Sequence, residues 1–458
     1  MAKEYYFLSL APIDYALSGI IIILLMIYGL IIQSQKKESL IHYSYFAKGL
    51  FVKIFGGVAF GMVYLYYYKG GDTIDYYSGA TCMKNLFYYN PERFFELMIF
   101  KITPEKYFSY FNNHTYWPPY HLITKTENFN VIRIASVLAI LTGGNFLTST
   151  ILMSFFSYFG IWRLYNLFVQ LFPDLYKQFA WALFYTPSFF FWGSGIMKDT
   201  ISIFSISLVI VYAHRIFMER SGSFSTIMWM ILFSLLLLRI KPYLFLALMP
   251  GLIIWFTFER VQRIRIWFFR IMALPLALSI MVMLMLVVYI RSSTNLGYYS
   301  ADRVLNQASI IQQDLLREDA YGKNNFNIGT FEPTIPGILK KAPAAINAGL
   351  FRPYIWEARS PVVLISGLEN LALLLFTLYS LAKLRFRLFT EPFRNPILSF
   401  CLIFSILIAF IIGLTTANFG ALVRYKIQML PFFIIFFMIL NHIVIKKKQA
   451  NIQPQYFH

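Results

Sequence analysis

An all-α, polytopic transmembrane helix bundle of about 11 spans is the fold this sequence predicts. Three observations predict it. Of the 458 residues, 58% are hydrophobic and only 13% charged, where a soluble domain carries roughly a quarter charged residues. Apolar runs of membrane length recur from one end to the other. The cations gather in short segments between those runs, as the positive-inside trend asks of loops on one side. The net charge of +19 therefore has a topological cause. Its natural partners are anionic lipid head groups or phosphate-bearing substrates, not nucleic acid.

The first span, Ile13–Ile32, ends at Lys36 and Lys37, which places the N-terminus outside and this loop inside. The second runs from Lys48 to Tyr68 and delivers Gly70-Gly71-Asp72-Thr73-Ile74-Asp75 to the outer face. A first periplasmic loop, residues 69–145, follows. Its segment 131–141 is too short to cross and reads as an interfacial or re-entrant helix ending at Gly143-Gly144. Phe146–Val169, Gln178–Phe191 and Thr200–Phe217 cross next, with an outer turn at Trp192–Asp199. Two short spans, Ser225–Leu238 and Pro242–Phe258, flank Arg239 and Lys241. After the basic inner loop Glu259–Arg265, Ile271–Ile290 crosses out to a second periplasmic loop, residues 291–360. Pro361–Ala382, Pro396–Thr415 and Leu422–Ile445 complete the count, with the C-terminus inside at Lys446-Lys447-Lys448. The whole chain reads as one integral membrane domain.

Cys82 and Cys401 stand alone, and the six histidines form no ligand cluster, so neither a disulfide framework nor a zinc site is expected. The chemistry lies in the outer turns. Asp72 and Asp75 sit where a span breaks into water, and acids at a membrane edge are functional candidates, although a helix end also needs polar residues. Lys198, Asp199, Arg239, Lys241, Arg352, Glu357, Arg359 and Arg424 belong to the same face. A carboxylate can take the proton of a hydroxyl nucleophile. Arginine and lysine can hold a phosphate or diphosphate leaving group. Arg239 and Lys241 run against the positive-inside trend and so call for an anion. Asp199 beside Lys198 also suits a simple helix start, Glu357 and Arg359 suit interface anchoring, and Arg424 suits snorkelling to head groups.

Three segments carry a resemblance. Gly71-Asp72-x-x-Asp75-Tyr76 follows a membrane helix; Pro187-Ser188 leads to Trp192-x-Ser194-x-x-x-Lys198-Asp199; and Asn418-x-Gly420 leads to Arg424-Tyr425. This pattern resembles the GT-C class of membrane glycosyltransferases. The resemblance implies a sugar donor on a polyprenyl phosphate or diphosphate, a glycan or lipid acceptor, and an acid of the first outer loop, Asp72 or Asp75, as general base. Lys198, Arg239, Lys241, Arg352 and Arg424 would hold the carrier phosphate. No cofactor is required, although a divalent cation beside the acids would suit the class. The chain departs from that class in its extra first span. It is also similar to polymerases and ligases of bacterial surface polysaccharides, which implies a site dominated by Arg239, Arg352 and Arg424. Either likeness implies a bacterial inner membrane. A flippase for a lipid-linked anion, or a structural subunit of a membrane complex, are the other expectations.

Overall fold

The computed structural model describes residues 10–262, 325–329, 332, 334–385, 387–392 and 394–452. Every regular element among them is a helix apart from one isolated bridge between Asn325 and Asn418. Among the described residues six helices are long and apolar enough to cross a membrane, or seven if the bent pair Thr126–Leu141 and Phe146–Leu171 is one span. The chain is therefore a multi-pass helical membrane protein. The described spans number fewer than the 11 expected, for physical reasons. The segment expected to cross at 178–191 is broken, and the two around Arg239 are short. The span expected at residues 271–290 lies outside the described residues.

Contacts cluster into two compact units, Met1–Phe245 and Leu246–His458. In the first, α1 (Pro12–Lys36) leaves Ile20, Ile23, Leu24 and Ile27 exposed, a surface suited to lipid. α2 (Phe46–Met62) continues as one π turn, Val63–Tyr67. The residues expected as a periplasmic loop with interfacial helices fold into five helices: α3 (Asp72–Tyr89), α4 (Pro91–Ile99), α5 (Pro104–Tyr110), α6 (Tyr120–Ile123) and α7 (Thr126–Leu141). Asn90 and Thr103 cap α4 and α5, each ahead of a proline at the first helical position. Gly143 and Gly144, at φ of 65° and 97°, turn the chain by 114° into α8 (Phe146–Leu171).

α8 is the centre of this unit, packed on α2 and on α11 (Lys198–Phe217). Between them the chain runs through α9 (Tyr176–Ala180), a π turn and α10 (Pro187–Trp192), which lies along α2. The buried turn Gly193–Met197 then enters α11. Irregular backbone at such depth needs every carbonyl answered by protein. Lys53 donates to Gly193 O, Ser154 Oγ to Ser194 O at 2.6 Å, and Thr200 Oγ1 to Gly195 O at 2.6 Å. α12 (Phe224–Ile240) returns antiparallel along α11, and the division between units falls within α13 (Pro242–Gln262).

The second unit holds α14 (Ile335–Lys340), α15 (Ala342–Phe351), α16 (Pro361–Leu384), α17 (Arg387–Thr390), α18 (Pro396–Thr415), α19 (Phe419–Lys426) and α20 (Leu430–Ile452). α15 meets α18 backbone to backbone. A Cβ on Gly349 would stand 2.1 Å from Ala409 O, and one on Gly413 would stand 1.9 Å from Ala345 O. Only glycine permits that approach. The basic ends of this unit gather together: Lys447 Nζ lies 2.8 and 2.6 Å from the two oxygens of Glu391.

Candidate functional site

The acidic turn is built by backbone geometry. Lys69, Gly70 and Gly71 carry φ of 50°, 150° and 102°. A Cβ on Gly71 would also stand 3.0 Å from the Tyr64 ring. Gly71 O then accepts Ile74 N and Asp75 N, so Asp72 and Asp75 occupy the first turn of α3, where the helix dipole favours negative charge. Both are half-buried. Asp75 Oδ2 lies 3.8 Å from His121 Nε2 on α6, with 14% of its side chain exposed.

Two polar contacts made by α7 lie between this turn and the end of α12. Tyr76 OH donates to Asn128 Oδ1 at 3.0 Å. Two residues along α7, Asn130 Nδ2 donates to Arg239 O at 3.3 Å. Arg133 supports the same stretch, donating to Leu97 O at 2.8 Å, Phe100 O at 2.5 Å and Asn130 Oδ1 at 2.8 Å. The start of α7 thus contacts both Tyr76, the residue after Asp75, and the backbone at the end of α12 that carries exposed Arg239.

Lys241 is held in a buried ion pair. It is buried and lies 2.5 Å from Oδ1 of Asp199, which is 0% exposed. The pair joins the start of α11 to the end of α12. A carrier phosphate at this ammonium would share it with the Asp199 carboxylate. Lys198, one residue earlier, is half-buried at the first position of α11. Among the described residues no three His, Cys, Asp or Glu side chains are arranged to hold a metal. A divalent cation at the acids would thus take substrate oxygens as further ligands.

The other two expected residues belong to the second unit. Arg352 forms a 2.8 Å ion pair with Glu357 and lies over the Phe326 and Tyr354 rings. Arg424 is half-buried, with its guanidinium over the Tyr425 ring at 5.2 Å. Asn418 earns its place in the late motif structurally. Its Oδ1 accepts Gly420 N and Ala421 N at the start of α19, and its Nδ2 donates to Asn325 Oδ1 at 3.0 Å.

Two organising residues, Lys53 and Lys426, escape the sequence reading, and a third, Arg133, is legible there only as a break in an apolar segment. Lys53 lies inside a run read as apolar, yet a lysine in a span is itself the signal. Lys426, 1% exposed, donates to Leu350 O at 3.1 Å, Arg352 O at 2.9 Å and Asn370 Oδ1 at 2.7 Å. Arg133 interrupts segment 131–141 in the same way. A comparison with known protein families, curated proteins and solved structures finds no match for this chain.

Proposed function

We propose that the chain is a membrane glycosyltransferase that moves a sugar or oligosaccharide from a polyprenyl-phosphate or diphosphate carrier to a glycan or lipid hydroxyl, at the periplasmic face of a bacterial inner membrane. The observation that carries this reading is the acidic first turn of α3, packed on α7, where Tyr76 bonds Asn128 and, two residues on, Asn130 bonds the backbone of Arg239. Asp72 takes the proton of the acceptor hydroxyl as its oxygen attacks the anomeric carbon. Asp75, steadied by His121, orients that hydroxyl. The bond from the anomeric carbon to the phosphate oxygen breaks, and its electron pair leaves with the carrier phosphate. Arg239 and Lys198 face the charge that grows on that phosphate, Lys198 from a helix N-terminus that favours anions.

The test is transfer in proteoliposomes from a polyprenyl-phosphate sugar. Asp72→Asn should lower the rate by about 10²–10⁴ at unchanged stability, and Arg239→Ala should lower it as well. If Asp72→Asn and Asp75→Asn both retain full transfer while Arg239→Ala abolishes it, a polymerase or ligase driven by arginines replaces this reading. Movement of the carrier between leaflets with no glycosidic bond formed would make the protein a flippase.

A further inference from the structure

The second unit contains a cavity of about 250 Å³, below the usual range for drug-sized ligands. Its polar lining is Asn327, Asn347, Arg352 and Tyr354, and Ala344 and Ala348 of α15 form its apolar part. The polar groups are pre-oriented. Asn347 Nδ2 donates to Tyr354 OH at 2.8 Å, which leaves the phenol proton to donate elsewhere. Glu357 pairs with Arg352 and also accepts Tyr354 N at 2.9 Å. The backbone beneath is clamped: Lys426 holds Leu350 O and Arg352 O, and Asn370 Nδ2 donates to Pro353 O at 3.0 Å. Beside the cavity the Tyr354 and Trp356 rings stack at 4.8 Å and 17°, with Trp356 78% exposed.

We infer that this cavity and its aromatic shelf bind one neutral sugar unit of a glycan. The charge balance decides between sugar and phosphate. The Arg352 guanidinium that lines the cavity already faces the Glu357 carboxylate, and the Lys341 and Lys426 ammoniums behind the lining are directed to backbone carbonyls, so the cavity offers fixed donors and acceptors and its lining cation is paired. Amide, phenol and paired guanidinium–carboxylate groups match neighbouring hydroxyls, which both donate and accept. An exposed indole supplies a flat apolar surface for the C–H face of a pyranose. The clamps from Lys426 and Asn370 hold the site in place before the ligand arrives, which lowers the ordering cost of weak binding. The inference deepens the glycosyltransferase reading by giving the glycan a resting place, and it moves Arg352 from phosphate holding to sugar holding.

The experiment uses the full chain in detergent micelles, with saturation-transfer NMR on glucose, galactose and N-acetylglucosamine, and inorganic phosphate as competitor. At least one sugar should show transfer with millimolar affinity, weakened about tenfold or more in Trp356→Ala and in Asn347→Ala. Trp356 is exposed, so its variant keeps the fold. A Trp356→Phe variant should recover part of the binding. Phosphate should not compete. No sugar signal, a signal unchanged in Trp356→Ala, or displacement by phosphate overturns the proposal. Asp72→Asn should leave sugar binding intact. Loss of the catalytic reading and loss of this subsite are therefore separate outcomes.

Discussion

Asp199 and Lys241 allow a sharp test, because both are buried and 42 residues separate them in sequence. Lys241→Met leaves an unexposed carboxylate without its ammonium; Asp199→Asn leaves a buried ammonium without its carboxylate. Stranding one buried charge costs about 3–5 kcal/mol, whereas replacing both with neutral groups is often close to neutral. The double variant should therefore lie within about 1 kcal/mol of the parent and above either single variant. Denaturant titration in a mild detergent, followed by tryptophan fluorescence, gives the four corners of the cycle. Single losses below about 1 kcal/mol, the size expected of an exposed ion pair, would refute the buried-pair argument. So would additive losses in the double variant. The cycle also separates stability from chemistry. If Lys241 serves only to join α11 and α12, the double variant keeps sugar transfer, while Arg239→Ala loses it.

Other outcomes follow from the same geometry. Gly71→Ala meets both a left-handed φ and the Tyr64 ring, and should cost roughly 1–2 kcal/mol and disturb the acidic turn, read as a drop in transfer with the spans intact. Arg133→Met leaves Leu97 O, Phe100 O and Asn130 Oδ1 without their donor; limited proteolysis should then cut within residues 91–110, and unchanged protection would count against the role given to Arg133. Hydrogen bonds from Lys106 and Tyr110 hold the Glu96 carboxyl below its ordinary value of 4.5. A carboxyl whose folded value is depressed adds stability that is fully present above pH 4.5 and lost as pH falls through the folded value. Hydrogen-exchange protection factors in α4 and α5 should therefore fall below that pH, and Glu96→Gln should flatten the profile.

Helices such as α1, α11 and α18 were legible because length and apolar content alone set a span. So was the acidic turn, since Gly70-Gly71 ahead of two acids states both the backbone bend and the helix start. The helical content of residues 69–145 was less legible. Asn90-Pro91 and Thr103-Pro104 mark helix starts, but the aromatic composition between them reads as interfacial loop. The Asp199–Lys241 pair could not be read at all. Its partners are distant in sequence, and Lys198, adjacent to Asp199, offers a local partner on paper. Arg352 and Glu357 are both legible as charges of one segment, but their ion pair is not, because the short stretch of chain between them sets its geometry.

The turn at Gly193–Met197 is tethered by side chains from three directions, Lys53 on α2, Ser154 on α8 and Thr200 on α11. A joint fixed in that way cannot slide along any one helix without breaking its bonds to the other two. Under the proposed function, a rearrangement that admits a bulky lipid carrier would pivot about this point, with the free ends of the surrounding helices swinging while the knot stays still. Spin labels near Gly193 should accordingly report one distance distribution with and without carrier, and labels near Gly70 should report two.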